Sequence, residues 1–522
     1  MAFSFLTKNQ ANELILSRTY SFARLSRYLQ KLILFLYRFS SFHLPPFLIQ
    51  LCYFLSLAFL GSLLLILLKP SNAAFSPRYV DMLFMSTSAL TVSGLGTVEM
   101  ENLSSSQIVV LMLLMFLGGE VFISLLALLF RRAKQGQTES SGAIGVELEA
   151  VNANESSIGR IESGIHFDSA AEDLRPVHVR LLGYVMSSYV AVFHVFGTSL
   201  LLAYFAGVPR ARGILKTKGI NVFLFCLSTT VSSFANGGLI ATNENMAIFN
   251  RDPVVLLLVI LQVLAGNTLF PLFLSWTIWG LKKLTKRKEF DDMLKSSGEA
   301  QLRPLLPRSR TSALSLSALG LLTALLVLFC AMDWDGKVFD GLTSVEKLVS
   351  ALFIAANARH AGENSIDCSL ISPAVLVLII FMMYLPSSMT FAFAQEEDPR
   401  KETTKKKSSL LQDMMFSQLS WVVIFIIAVC ITERRKMSRD PLNFSTLSMI
   451  FEMISGYGNV GLSTGYSCSR LLKIHPEAIC EDKPYSLSGW WSDEGKLILA
   501  LCMLYGRLKK FSAGCGRAWK LY

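Results

Sequence analysis

Eight long apolar runs separated by polar connectors restrict the fold of this chain more than any other feature. They span residues 46–68, 107–130, 179–207, 253–280, 312–332, 372–394, 415–432 and 495–508. A helix of about 20 apolar residues crosses the roughly 30 Å hydrocarbon core of a bilayer. The composition agrees, because 52% of the residues are hydrophobic and only 17% are charged, whereas a soluble domain averages about 25% charged residues. The sequence therefore predicts an all-α polytopic membrane protein.

A shorter, half-apolar stretch lies between the two members of each pair of runs. The four stretches are "YVDMLFMSTSALTVSGLGTVEM", "INVFLFCLSTTVSSFANGGLIATNENM", "SVEKLVSALFIAANARHAGENS" and "LSMIFEMISGYGNVGLSTGYS". Each is interrupted by Gly, Ser or Asn, and non-helical backbone occurs at membrane depth only where it is buried in protein or lines a watery cavity. We therefore predict four parallel helix–re-entrant pore loop–helix repeats, with eight transmembrane helices around one central, potassium-channel-like pore.

The repeats and linkers follow from these runs. The repeats are residues 46–131, 177–281, 311–395 and 413–510, and the remaining segments are 1–45, 132–176, 282–310, 396–412 and 511–522. The basic strings "RRAK", "KKLTKRK" and "RKETTKKK" each follow the second helix of a repeat, which by the positive-inside rule makes the linkers and both termini cytoplasmic in a plasma-membrane protein. Two basic strings, "PRARGILKTK" (209–218) and "ERRKMSR" (433–439), fall on the outer face instead.

The loop tips carry small residues of the kind that a cation filter needs. A filter replaces the water shell of an ion with oxygen ligands, often rings of backbone carbonyls. Glycine adopts the required backbone conformations without steric cost. The sequence predicts a filter ring that binds Na⁺, with one residue from each loop: Ser93, Gly238, Gly362 and Gly461. The residues expected beside the ring are Val92, Gly94, Asn236, Gly237, Ala361, Asn459 and Val460.

These loops resemble a known family. The strings "STSALTVSGLGTVEME", "TTVSSFANGGLIATNENM", "ARHAGE" and "SGYGNVGLSTGYSC", with "DPLNFSTLS" and "YGRLKKF", resemble the plant high-affinity potassium transporters (HKT) of the Trk/Ktr/HKT superfamily. The resemblance covers nearly the whole chain after the first 40 residues. It implies sodium or potassium uptake through one pore per chain, with the repeats acting as four channel subunits, and it suggests a homodimer.

The resemblance also gives an expectation for the transported ion. In that family a serine at the first filter position accompanies sodium selectivity, whereas a glycine there accompanies potassium–sodium transport, so Ser93 makes this chain resemble the serine-type, sodium-selective subfamily. A β-carbon at Ser93 makes the backbone geometry of glycine costly, and a hydroxyl near the axis reshapes the ring. We therefore expect a sodium-selective, channel-like uniporter. The alternatives are a K⁺/Na⁺ symporter and a Na⁺-permeable K⁺ uptake system.

Charged residues near the path have two interpretations each. Four carboxylates follow the predicted filter residues, namely Glu99, Glu101, Glu244 and Glu363. They would concentrate cations in an outer vestibule. Alternatively, they would only keep the entrance of the pore hydrated or cap the next helix. Arg507 follows a short apolar run, so its charge would form an electrostatic barrier below the filter or extend to the inner membrane interface.

Other classes of function fit the sequence less well. The net charge of +11 is concentrated in short connectors, which favours membrane topology over nucleic-acid binding. We find no nucleophile elbow, HExxH string or phosphate-binding P-loop, so we expect neither an enzyme nor a cofactor. The expected partners are monovalent cations, Na⁺ with K⁺ as the alternative, and the lipid bilayer. Cys468 and Cys480 share one outer segment and could form a disulfide.

Overall fold

The computed structural model describes residues 46–72, 75–128, 176–296, 305, 308–385, 418–477 and 479–510. The segments 1–45, 396–412 and 511–522, most of 132–176 and part of 282–310 lie outside the described residues, as do the strings "RRAK" and "RKETTKKK". Contacts divide the chain into residues 1–53 with 519–522 and residues 54–518. Of the first unit only the helical residues 46–53 are described, and the four pore loops all belong to the second unit.

Every described repeat contains a first apolar helix, a pore helix and a second apolar helix. In repeat 1 the helices are α1 Pro46–Leu67, α2 Tyr79–Leu90, α3 Ser105–Gly118 and α4 Glu120–Leu128. In repeat 2 they are α5 Pro176–Gly207, α6 Pro209–Thr217, α7 Val222–Ala235, α8 Pro253–Gly266 and α9 Phe270–Thr285. The linker that follows contains α10 Lys288–Ser296.

Repeats 3 and 4 follow the same order. Repeat 3 contains α11 Arg308–Met332, α12 Ser344–Asn357 and α13 Pro373–Tyr384. Repeat 4 contains α14 Gln418–Thr432, α15 Arg434–Arg439, α16 Thr446–Gly458, α17 Cys468–Ile474 and α18 Asp493–Lys510. The pore helices are α2, α7, α12 and α16. Within the described residues the regular structure is helical throughout, and the predicted fold class is confirmed.

Local sequence explains where three of the pore helices begin and how two of them end. A side-chain oxygen of Asn221, Thr343 or Ser445 accepts a hydrogen bond from a free backbone N–H in the first turn of α7, α12 and α16. At the other end, α7 and α16 are followed by Asn236 and Asn459 in the left-handed conformation, which asparagine tolerates better than most residues. The chain therefore leaves these helices abruptly and enters the loops.

In the described part of the chain, three straight helices are long and apolar enough to cross a membrane, namely Phe47–Leu67, Arg180–Gly207 and Thr311–Met332. The second helices of repeats 1 and 2 are broken instead. The axis bends by 56° between α3 and α4, where Gly119 is extended, and by 86° between α8 and α9. Pro271 in the first turn of α9 lacks the N–H that would continue the helix, which accounts for the second break.

A glycine on the second helix touches the end of the pore helix in repeats 1, 2 and 4. A β-carbon added to it would lie 1.8–1.9 Å from a pore-helix carbonyl oxygen; the pairs are Gly118 with Leu90, Gly266 with Phe234, and Gly506 with Tyr457. Any side chain there would force the two helices apart. Because Leu90, Phe234 and Tyr457 each lie four residues before a loop glycine, these contacts also give the register of the loops.

Candidate functional site

The four loops meet in a closed ring of glycines. Gly94, Gly238, Gly362 and Gly461 all have a positive φ, of 71°, 70°, 62° and 105°. A β-carbon added to Gly94 would lie 3.1 Å from the Cα of Gly238 and 3.2 Å from that of Gly461, and one added to Gly362 would lie 2.6 Å from the Cα of Gly461. A β-carbon on Gly238 would lie 2.2 Å from the carbonyl oxygen of Ala361. Each loop therefore touches the next one, and the fourth touches the first.

The carbonyl before each glycine faces the neighbouring loop. The added β-carbon would meet these oxygens at 3.0, 2.2, 2.2 and 2.6 Å; the pairs are Gly94 with Gly237 O, Gly238 with Ala361 O, Gly362 with Val460 O, and Gly461 with Ser93 O. The order around the ring is therefore repeat 1, 2, 3, 4 and back to 1. Each of the four glycines has a positive φ and faces the carbonyl that precedes the ring glycine of the next loop. The four glycines therefore occupy equivalent positions.

The predicted register of the first loop is wrong by one residue. Gly94, rather than Ser93, occupies the position of Gly238, Gly362 and Gly461. The Ser93 carbonyl faces the ring, but its side chain is fully buried behind it. The Ser93 hydroxyl lies 2.8 Å from Thr91 Oγ1 and accepts a hydrogen bond of 2.9 Å from Asn459 Nδ2, so it does not project toward the axis as expected.

The other predicted flanking residues lie directly behind the ring. Val92, Asn236 and Asn459 are left-handed, with φ of 52°, 61° and 50°. For the β-branched Val92 this conformation is strained, whereas the two asparagines tolerate it more readily. Gly237, Ala361 and Val460 supply the carbonyls described above. The structure thus brings the predicted filter and flanking residues together, with Ser93 and Gly94 exchanged between the two groups.

The C-terminal ends of the four pore helices lie next to this ring in the sequence of each loop. They end at Leu90, Ala235, Asn357 and Gly458, each within five residues of the ring glycine of its own repeat. The free carbonyls at the C-terminus of a helix carry a partial negative charge. Four such ends around one opening favour a cation there.

A cavity of about 550 Å³ opens above the ring, and the four ring glycines line it. Glu244 of the second loop also lines it, as do Lys483 and Tyr485 of the outer segment between α17 and α18. The Cys468–Cys480 disulfide is formed in the structure and closes the base of this segment. The cavity has the position of the predicted outer vestibule.

Two lysines neutralise three of the four predicted vestibule glutamates. Lys218 Nζ donates to Glu101 Oε1 at 2.5 Å and to Glu244 Oε2 at 2.8 Å. Lys483 Nζ lies 3.6 Å from Glu99 Oε1. For the Lys218 pairs, the sequence signal was the string 209–218, which placed basic residues on the unexpected side of the membrane. The acidic partners of Lys218 are consistent with a position of that residue on the outer face.

Lys218 keeps its charge in this position. Burial lowers the pKa of Lys218, but the hydrogen bonds to Glu101 and Glu244 outweigh burial, so the pKa lies above its ordinary value. The ammonium group is therefore charged at any pH at which the protein would work.

Replacing Lys218 should strengthen the field of the vestibule. In Lys218→Met both Glu101 and Glu244 lose their counter-charge, so we expect the inward cation current at low external salt to rise about two- to tenfold by local concentration of cations. The effect should shrink as ionic strength rises and the Debye length shortens. Two-electrode recordings over a salt series measure both. The matched control is Lys216→Met, in the last turn of helix α6, which Lys218 directly follows. An equal effect there would contradict the assignment.

Glu363 does not belong to the vestibule, contrary to the prediction. Its side chain is fully buried, and Ser233 Oγ on the pore helix of repeat 2 donates to Glu363 Oε1 at 2.7 Å. The residue follows Gly362 directly, so the turn of the loop directs the carboxyl behind the ring rather than above it. The sequence position alone could not distinguish these two directions.

Arg507 lies deep in the protein, and only 2% of the residue is exposed. Its guanidinium donates to the carbonyl of Gly118, the last residue of α3. Gly118 in turn touches Leu90, four residues before Gly94. The burial favours the first of the two interpretations, and the hydrogen bond attaches the guanidinium to the helix end that packs against the end of pore helix α2.

The fold and the ring together define a polytopic pore-loop protein of the cation-channel type. Residues 171–520 match the TrkH family, described as cation transport protein. The chain is 47% identical over 481 residues to the cation transporter HKT2;4 of Oryza sativa subsp. japonica, covering 90% of this chain and 93% of that protein. It is 41% identical over 469 residues to the sodium transporter HKT1 of Arabidopsis thaliana, covering 87% and 91%.

The crystal structure of the potassium transporter TrkH from Vibrio parahaemolyticus has the same fold, with a TM-score of 0.50 and 16% identity over 89% of this chain and 83% of that one. The chain belongs to the HKT cation transporters, within the TrkH family. It is thus a multi-pass membrane protein that transports monovalent cations, and it is not an enzyme.

Proposed function

We propose that this transporter conducts both K⁺ and Na⁺ passively across the plasma membrane, through the ring of Gly94, Gly238, Gly362 and Gly461. The observation that carries the proposal is the equivalence of the four glycines. A ring with a glycine in every loop keeps four carbonyls available to replace the water of the larger K⁺ ion. Among the family patterns that this chain resembles, glycine at the first position accompanies potassium–sodium transport.

Sodium-selective uniport is the second candidate. Its physical argument required a serine in the ring, and Ser93 lies one residue before the ring position, with its hydroxyl behind the loop. The name of the Arabidopsis relative, sodium transporter, still favours this candidate.

Ion substitution separates the two candidates. We expect two-electrode recordings from oocytes to show reversal potentials that follow external K⁺ and external Na⁺ when each is varied alone. In Gly94→Ser a β-carbon would lie 3.0 Å from the Gly237 carbonyl, and we expect the K⁺/Na⁺ permeability ratio to fall about tenfold, equivalent to about 1.4 kcal/mol. A wild-type reversal potential that ignores K⁺ would establish the sodium-selective candidate instead.

Arg507 supplies an electrostatic barrier below the ring in this proposal. A buried positive charge opposes a cation that approaches from the cytoplasm, because the surroundings screen it weakly. In Arg507→Gln we expect outward current to increase several-fold relative to inward current.

Lys509→Gln is the matched control for Arg507→Gln. It removes the same charge two residues later, where Lys509 Nζ lies 3.2 Å from the Tyr505 hydroxyl. Current–voltage curves from both variants measure the rectification. Unchanged rectification in Arg507→Gln, or an equal change in both variants, would reject the barrier.

The proposal keeps both termini in the cytoplasm, as the basic linkers predict, and includes a homodimer, as the family resemblance suggests. The orientation is supported by the pairing of basic residues on the outer face. Lys218 has two acidic partners, and Lys436 lies 3.1 Å from Glu433. Accessibility of terminal epitope tags in intact cells tests the orientation.

A further inference from the structure

A side-chain hydrogen bond joins the fourth loop to the first behind the ring. Asn459 Nδ2 donates to Ser93 Oγ at 2.9 Å, and both residues are at least 97% buried. The same amide nitrogen lies 3.0 Å from the carbonyl of Met503 on α18 and 3.3 Å from that of Gly456. Asn459 therefore connects its own pore helix, the second helix of its repeat and the neighbouring loop.

A second hydrogen bond joins repeat 2 to the third loop. Ser233 Oγ, on pore helix α7, donates to Glu363 Oε1 at 2.7 Å, and both residues are fully buried. Glu363 directly follows the ring residue Gly362. This bond, like the first, therefore holds a residue next to a ring glycine to the adjacent repeat.

The two hydrogen bonds lie on opposite sides of the ring. The order of the repeats is 1, 2, 3, 4, so the junction between repeats 4 and 1 faces the junction between repeats 2 and 3. We propose that Ser93, Asn459, Ser233 and Glu363 are positioning residues that fix the width of the ring and thereby its discrimination between K⁺ and Na⁺. This inference rests on the proposed function.

The physical reason is the stiffness that a carbonyl ring needs. Its oxygens distinguish ions of different size only to the extent that they are held in place, and a flexible ring adjusts to either ion. A hydrogen bond between buried groups is stronger than one in water because the local dielectric constant is low. Loss of either bond leaves one junction free to widen or narrow, so we expect the permeability ratio to move toward one.

Asn459→Gly with Asn236→Gly as its control gives the first test. Glycine accepts the left-handed backbone of both positions. Asn236 occupies the same place in repeat 2, but its Nδ2 donates to the Phe234 carbonyl of its own pore helix, at 3.2 Å. We expect the K⁺/Na⁺ permeability ratio of Asn459→Gly to move toward one by a factor of about three to ten, as loss of one buried hydrogen bond allows. That of Asn236→Gly should change by less than about twofold.

Milder variants remove only a hydroxyl from each pair. Ser93→Ala should shift the ratio in the same direction as Asn459→Gly, and adding it to Asn459→Gly should change little further, because both changes remove the Ser93–Asn459 bond. Asn459→Gly also loses the contacts with Met503 and Gly456, so its effect should be at least as large. Ser233→Ala should act in the same direction. Its control is Ser228→Ala on the same helix, since Ser228 Oγ donates to the Phe225 carbonyl within α7, at 3.1 Å.

Three results of these recordings would decide the inference about the positioning residues. Wild-type permeability ratios in Ser93→Ala and Asn459→Gly, or equal shifts in Asn236→Gly and Ser228→Ala, would overturn the inference. So would complete loss of current in both Ser93→Ala and Ser233→Ala with normal surface expression, since the inference requires a ring that still conducts. If the wild-type protein carries no K⁺ current, the proposed function fails, and the Na⁺/Li⁺ ratio of the same variants then tests the positioning residues alone.

Discussion

Gly362→Ala should abolish cation current while the protein still reaches the cell surface. The alanine β-carbon would lie 2.2 Å from the Val460 carbonyl oxygen and 2.6 Å from the Cα of Gly461, so the third and fourth loops cannot both keep their positions. The positive φ of 62° adds a strain of about 1–2 kcal/mol for a residue with a side chain. Because the clash is with backbone rather than with a flexible side chain, it cannot be relieved without opening the ring.

Gly465→Ala is the control for that variant. Gly465 has nearly the same φ, 61°, and lines the same cavity, but an added β-carbon would have no neighbour within 4 Å. We expect this variant to keep its current and its permeability ratio. Oocyte currents normalised to surface protein make the comparison. A wild-type current with a wild-type permeability ratio in Gly362→Ala would show that the ring does not determine conduction.

Lys496→Met should strongly destabilise the folded protein. Lys496 Nζ donates to Asp81 Oδ1 at 2.6 Å, and the side chains are only 4% and 10% exposed. Lys496 belongs to α18, and Asp81 lies in the first turn of pore helix α2, so the pair joins repeat 4 to repeat 1. Removing one partner of a buried ion pair costs about 3–5 kcal/mol. Arg78 lies 4.0 Å from Asp81, which favours the lower end of that range.

Thermal unfolding of the detergent-solubilised protein measures this effect. The control is Asp493→Asn, which breaks the exposed pair with Arg78 and should cost about 1 kcal/mol or less. The double variant Asp81→Asn/Lys496→Met leaves no lone buried charge and should recover part of the lost stability. Equal melting temperatures for Lys496→Met and Asp493→Asn would contradict the role assigned to the buried pair.

Hydropathy and loop composition predicted the repeats, because long apolar runs and glycine-rich interruptions reflect two strong constraints of the bilayer. The same patterns could not determine register within a loop. "TVSGLG" contains a small residue at both Ser93 and Gly94, and hydropathy does not distinguish them. Leu90, Phe234 and Tyr457, four residues before their ring glycines, would have given the register, but their importance depends on contacts with distant glycines.

The direction of side chains and the pairing of residues far apart in the chain also could not be predicted from the sequence. Glu363 is adjacent to a ring glycine whether its carboxyl faces the cavity or the interior, and the backbone of the loop decides between them. The partners of Lys218 come from two different repeats, with Glu101 more than 100 residues away in the chain. The break after Gly118 was not predicted either, because a pair of glycines inside an apolar run does not by itself end a helix.

Four different residues precede the ring glycines, namely Ser93, Gly237, Ala361 and Val460, and one chain encodes them all. In a channel assembled from four identical subunits, every mutation in the filter enters the pore four times and its energetic effect is multiplied accordingly. Here each mutation enters once. A substitution at one of the four residues before the ring glycines therefore alters one quadrant of the pore and leaves the other three unchanged.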